Sequence, residues 1–215
     1  MNLGEVLDIF NLVIADKAPD SEDMTPERFT TLLQYANRKH FIAAVDKKKW
    51  DSLRPFTVIL GENGTMALPV SEDGTATLPS DYVDHISSRH QYLKGTEVKH
   101  TPVREVDNEK YDYMLSSHVE KPTKRYPILN IQEDHLRVAP KNLRYIIFTY
   151  VGDTNDPVYG VSYYEGFPQY DASQSTELLW NDENILDIIF IMAKEFGAIV
   201  TIEQVQQAAA QKSKK

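Results

Sequence analysis

The chain predicts an α+β fold: a helical bundle, built from N-terminal helices and a C-terminal helix, packed with antiparallel β hairpins. Three patterns carry this expectation. Apolar residues recur at helical spacing near both ends, with Leu3, Val6, Leu7, Phe10, Val13 and Ile14 in one stripe and Ile185, Ile189, Met192 and Phe196 in another. Between them, short β-branched and aromatic runs alternate with turn residues. The most apolar of these runs lie within residues 126–151, YPILNIQEDHLRVAPKNLRYIIFTYV.

The elements follow in order. A first helix covers residues 3–15, and an acidic, proline-containing link covers 16–23. Thr25 suits an N-cap, with Pro26 at the first helical position and Glu27 in the first turn. The second helix then reaches about Lys47, with Phe29, Leu32, Leu33, Ala36 and Ile42 inward. Lys47, Lys48 and Lys49 stand at the negative end of its dipole, which reads as a solvated helix end rather than a phosphate site. Residues 56–60, FTVIL, form a strand; Asn63-Gly64 supplies a hairpin turn, and residues 65–70 return. Glu72-Asp73-Gly74 turns the chain again into a short strand at 75–78. Residues 82–92 fit either a strand or a short helix, and residues 107–116 a short polar helix.

In the central stretch, Leu136 and Val138 alternate with Arg137 as a half-buried strand, and Pro140-Lys141-Asn142 makes a turn. The run at 143–151 is apolar on both parities, so it needs cover on both faces. The helix at 182–196 is the expected cover for one face. Tyr145, Ile147 and Phe148 are candidate subunit contacts on the other. Tyr159, Tyr163, Tyr164, Phe167 and Tyr170 fall in a segment read as irregular. Asn181 caps the strongest helix and Gly197 ends it. Thr201-x-x-Gln204 resembles a capping box for a last helix. Its narrow apolar face, with Ile202 and Val205, and its basic tail of Lys212, Lys214 and Lys215 suit docking on a partner subunit. The expected organisation is therefore one domain over residues 1–200, with 201–215 appended.

Composition narrows the function. A 41% hydrophobic and 26% charged content is that of an ordinary folded chain, neither disordered nor membrane-embedded. The net charge of −9 argues against a protein that grips phosphates. With no cysteine there is no disulfide, thiolate metal site or cysteine nucleophile. No run approaches a membrane span, and MNLGEVLDIF lacks the basic start of a secretory signal, so neither is expected.

Motifs for chemistry are sparse. Gly160-Val161-Ser162-Tyr163-Tyr164 approaches the hydrolase elbow but places Tyr164 where a glycine lets a helix pack close. Asp153, Asn155 and Asp156 suggest a calcium loop, yet Pro157 and a missing downstream glutamate break that pattern. The six histidines form no metal-binding spacing, and no phosphate-binding glycine loop is present. No catalytic residue, metal site or cofactor is expected. The aromatics of residues 145–170 read equally as an interface or as plain packing, since tyrosine is enriched at both.

Several short motifs carry a resemblance. Leu78-Pro79-Ser80-Asp81-Tyr82 after a short hairpin, Pro122 to Pro127 before a strand, and Leu136-Arg137-Val138-Ala139-Pro140 before the 145–151 strand are similar to the head-to-tail adaptor, or ring, proteins of podophages. The likeness is greatest to those of the crAss-like phages of Bacteroidetes, and extends over about residues 3–211. It includes the ending, an aspartate-serine loop followed by an acidic-capped apolar helix and a polar last helix. The acidic link at 16–23 departs from the family pattern. The resemblance implies a non-enzymatic virion component of the phage neck, assembled in the host bacterial cytoplasm. Such a protein forms a ring, commonly of twelve copies, that binds the portal, extends the DNA channel without reading sequence, and receives further neck or tail proteins. It also implies a C-terminal segment that reaches into the portal or a neighbouring subunit. The alternative from the residues alone is a monomeric β-rich module that binds peptide or carbohydrate through the 145–170 aromatics.

Overall fold

The apolar stripes and turn signals become an α+β chain in the computed structural model, which describes residues 1–15, 24–62, 64–94 and 96–212. Two compact units result: Met1–Phe56 together with Thr154–Lys215, and Thr57–Asp153. The expected boundary at residue 200 does not coincide with either junction. The acidic link at 16–23, Asn63 and the tail residues Lys214 and Lys215 lie outside the described residues.

The first unit is helical. α1 (Leu3–Ala15) buries Leu3, Val6, Phe10, Val13 and Ile14 as its stripe demands. α2 (Pro26–Asp46) starts at Thr25, whose hydroxyl accepts from the Arg28 amide, with Pro26 beside it. Its inward face runs Phe29, Leu33, Ala36, Asn37, His40, Phe41 and Ala44. Ile42, expected inward, is 49% exposed, because at 3.6 residues per turn it lies on the side of α2 opposite the middle of that inward face. A 3₁₀ turn, Arg54–Phe56, carries Phe56 against Phe41 and Trp180. α4 (Asp182–Glu195) is capped by Asn181 and ends at Gly197 with φ of 90°. It packs on α1 and α2, not on the central strand it was expected to cover. α5 (Ile202–Lys212) begins with the Gln204 side chain accepting from the Thr201 amide at 3.0 Å, which is half of the expected capping box. It lies on α1 and α4, where Val205 is fully buried and Ala208 nearly so.

One excursion leaves this bundle. The stretch expected to be irregular contains a hairpin, β10 (Val161–Tyr164) paired with β11 (Phe167–Tyr170). Its two-residue connection, Glu165-Gly166, has positive φ at both positions, 51° and 85°, the mirror-image turn that suits strand twist.

The second unit is a small sandwich of sheets. β9 (Tyr145–Gly152) is flanked by β1 (Thr57–Leu60) on one side and β4 (Tyr82–Lys94) on the other. β4 pairs onward with β5 (Glu97–Pro102), so the ambiguous residues 82–92 are strand. The expected hairpin around Asn63-Gly64 does not form: β2 (Leu68–Pro69) pairs with β9 on the same edge as β1 and in the same direction. The intervening residues are an excursion from one interrupted edge strand. The second sheet runs β3 (Thr75–Thr77), β8 (His135–Ala139), β7 (Ile128–Ile131) and β6 (Arg104–Glu105), with β6 and β7 parallel. The two strands joined by Pro140 thus belong to different sheets. Their facing side chains, including Leu129, Leu136, Val138, Ile146, Phe148 and Tyr150, make one core. α3 (Asn108–Ser116), capped by Asp107, packs Tyr111 and Met114 on Ile128 and Ala139 of the second sheet.

Candidate interaction surface

Helical spacing and turn chemistry together set the stem of the β10–β11 hairpin on α2. Tyr159 is the anchor: its ring meets Phe29 edge-on at 5.2 Å and Tyr170 at 5.3 Å, and its amide donates to Thr30 Oγ1. The Gln34 amide group donates to the Pro157 carbonyl at 3.0 Å. Burial pushes the Tyr170 hydroxyl pKa up, and that hydroxyl donates to Glu177, whose other oxygen accepts from the Leu3 amide at 2.8 Å. Gly160 has a separate reason to be glycine, since a Cβ there would sit 2.4 Å from the Gln174 carbonyl carbon. The base of the hairpin is therefore fixed by packing and hydrogen bonds.

Its outer end is not covered. Tyr163, Tyr164 and Phe167 are 68%, 64% and 71% exposed, and residues 162–169 are exposed on both faces. Tyr164 stands opposite Phe167, and Tyr163 opposite Pro168. A two-stranded hairpin bare on both faces is marginal in water by itself, and its three exposed aromatics, Tyr164 and Phe167 on one face and Tyr163 on the other, are apolar surface that invites a partner.

The remaining expected contact residues fall elsewhere. Tyr145 is 48% exposed at the start of β9, whereas Ile147 and Phe148 are buried, at 3% and 0%. Phe148 belongs to the sandwich core, so neither is free to form a subunit contact. Val205 is likewise withdrawn into the helical unit, Ile202 is half-buried, and Lys212 pairs with Asp8 of α1. The aromatics of residues 145–170 divide between the units: Tyr145 and Tyr150 belong to the sandwich, Tyr159 to Tyr170 to the helical unit.

The motif LPSDY has a physical role as a corner between the two sheets. Leu78 enters the sandwich core, the Tyr82 amide donates to the Pro79 carbonyl, and Tyr82 leads into β4. The Tyr150 hydroxyl donates to Asp81 Oδ1 at 2.9 Å, while burial raises the Tyr82 pKa to about 12.

The sites weighed for chemistry resolve into structure. Ser162 lies on β10 opposite Gln169, and the chain turns from there into a strand, not the helix a nucleophile elbow requires. Asn155 spends its side-chain amide on the Glu177 carbonyl and its own carbonyl on Asn37. Among the described residues no cluster of three or more metal-ligating side chains occurs, and no helix is long and apolar enough to cross a membrane.

One constellation was not legible in the sequence. Ser88 Oγ lies 2.8 Å from His85 Nε2, and His85 Nδ1 lies 2.6 Å from Glu105 Oε2, the order of a hydrolase relay. A register shift after His85 places residues three apart on one strand face, which alternation alone forbids. Ser88 is only 6% exposed and the His85 ring stacks on Phe148, so a substrate carbonyl has no approach to the hydroxyl. The relay ties β6 to the bulge in β4.

No model of a known protein family matches this chain, and no curated protein sequence matches it.

Proposed function

We propose that the protein is a ring-forming structural subunit of a phage neck, one that joins the portal vertex to tail proteins around the DNA channel. The observation that carries this reading is the aromatic β10–β11 hairpin, anchored at its stem and bare at its end. A chain that leaves such a patch in water is suited to completing it with another chain. The short motifs shared with podophage adaptors supply the class of assembly. The net charge of −9 fits a channel component, because like charge keeps DNA from adhering to the wall. A virion location, twelve copies and the identity of the neighbouring proteins rest on that resemblance alone.

Electron images of the purified protein, alone and mixed with portal protein, test the reading. Rings, or decoration of the portal vertex, are the expected result. A monodisperse monomer with no affinity for portal would overturn it. The rival, a binding module for peptide or carbohydrate, draws on the same three aromatics. It predicts that Tyr163→Ala and Tyr164→Ala abolish a ligand response and leave assembly untouched.

A further inference from the structure

A second apolar feature lies on the helical unit, on the other flank of the helix that holds the hairpin. The start of α2 and the end of α4 enclose an open groove of about 620 Å³. Met24, Leu32, Tyr35 and Phe196 give it a mainly apolar lining, and Glu27, Arg28, Thr31 and Glu195 are its polar members. Tyr35 is 51% exposed, with the Lys39 ammonium 5.6 Å over its ring. On a helix of 3.6 residues per turn, Thr30 and Gln34, which hold the hairpin stem, lie on average roughly 110° around the axis from the α2 positions lining the groove. The hairpin stem and the groove thus occupy different sides of one helix. Because the hairpin end is exposed in its own chain, it is free to meet the groove of a neighbour.

We infer that the β10–β11 hairpin of one copy seats in the α2–α4 groove of the next copy, a head-to-tail contact made with Tyr163, Tyr164 and Phe167. This rests on the ring reading above and names the contact that would build it. The sizes agree. A groove of this volume falls within the range that holds a drug-sized apolar body, so it can take the aromatic end of a hairpin. Two-thirds of three aromatic side chains amounts to roughly 400 Å², or about 800 Å² once the groove wall is counted. That is below the ~1,200 Å² of a stable pairwise complex, so one such contact is weak. A heterologous contact that closes on itself gives every copy two of them, and the last one forms within a single particle. Isolated chains are then expected to be monomeric when dilute and cyclic when concentrated or templated.

The nearest rival occupant is the chain's own segment at 16–23, which precedes Met24. Its sequence, DKAPDSED, offers only Ala18 and Pro19 as apolar side chains, a poor match for an apolar groove.

The test uses the full chain and two surface variants. Tyr163→Ser with Phe167→Ser disables the hairpin, and Leu32→Glu disables the groove. Sedimentation velocity over a concentration series should show wild-type chains assembling and each variant remaining monomeric to at least tenfold higher concentration. Mixing the two variants should give one-to-one dimers, because exactly one intact hairpin then meets one intact groove. Assembly of either variant at the wild-type concentration, or no dimer on mixing, overturns the contact, as does a wild-type chain that stays monomeric throughout. The absence of cysteine allows a second readout. Chains carrying both Glu165→Cys and Thr31→Cys should form a disulfide ladder on oxidation; monomers alone would argue against the contact. An Ala18→Cys, Thr31→Cys pair that links within one chain would assign the groove to residues 16–23 instead. The neck reading fails separately: variants that assemble like wild type leave it standing, and a hairpin-dependent ring with no affinity for portal removes it while the contact survives.

Discussion

Asn37 sits on the buried face of α2, 1% exposed, where the 3.6 period calls for an apolar residue. Its side chain donates twice and accepts once. The amide donates to Thr154 Oγ1 at 3.1 Å and to the Asn155 carbonyl at 2.9 Å, and its oxygen accepts from Trp180 Nε1 at 2.7 Å. Beside it, His40 Nε2 meets Asn184 Oδ1 at 3.1 Å and its ring meets Trp180 edge-on. Asn37→Ala would leave the buried indole N–H without its acceptor and take one donor each from Thr154 and Asn155, a cost of about 1–3 kcal/mol. Both tryptophans, Trp50 and Trp180, lie in the helical unit, so urea unfolding followed by tryptophan fluorescence isolates that effect. A loss below about 1 kcal/mol would mean that water replaces the asparagine. Burial holds the His40 pKa below its ordinary 6.5, against the opposing Asn184 hydrogen bond and Asp187 charge. A folded state with the lower pKa binds fewer protons than the unfolded chain. The contribution is therefore complete above pH 6.5 and is lost as pH falls from there through the depressed value. His40→Gln should flatten the fluorescence-detected stability profile over that window, where one histidine supplies at most about 1.4 kcal/mol per pH unit. None of this network was visible in the sequence, because a periodicity reading counts apolar positions and passes over Asn37 and His40.

Helices were the legible elements. The bounds of α1, the caps at Thr25 and Asn181, and the stop at Gly197 all depend on residues within one turn of the element they bound. Strand partners depend on distant sequence, and there the reading failed: β1 and β2 share an edge of β9 instead of pairing, and β8 and β9 part at Pro140 into separate sheets. The β10–β11 hairpin was missed because Glu165-Gly166 is an uncommon choice for a turn usually marked by asparagine or aspartate before glycine. Two expectations follow for the elements. Amides of α5 should be protected from hydrogen exchange in the monomer, since Val205 is fully buried against α1 and α4; exchange at the random-coil rate would contradict that packing. Gly160→Ala should loosen the hairpin stem, because the added methyl collides with the backbone at Gln174, and should raise exchange across residues 161–170 while α2 stays protected.

At the scale of the molecule, the sandwich unit is one uninterrupted stretch, Thr57–Asp153, with its own core of facing sheets and α3 on the second sheet. Expressed alone, it should fold with the strand-rich circular dichroism and cooperative melt of a small domain. A broad, non-cooperative transition would show that it depends on the helices. The class of fold was readable because composition and periodicity are summed over many residues. The candidate surface was readable only in part: Tyr163 and Tyr164 were singled out by type, but their exposure depends on a hairpin whose turn was not recognised, while Ile147, Phe148 and Val205 looked the same in sequence and proved to be buried.

The helical unit is discontinuous, closed by the two ends of the chain, whereas the sandwich lies wholly between them. During synthesis the sandwich strands are complete before α4 and α5 have been made, and domains generally form in that order. Thr57 stands directly across from Val151, so a finished sandwich delivers the two halves of the helical unit to one point and shortens the loop their meeting must close. The hairpin and the α4 wall of the groove are both made after the sandwich. A nascent chain that has not yet reached α4 therefore has no finished groove, and under the proposed contact the order of translation delays association until α4 has been made.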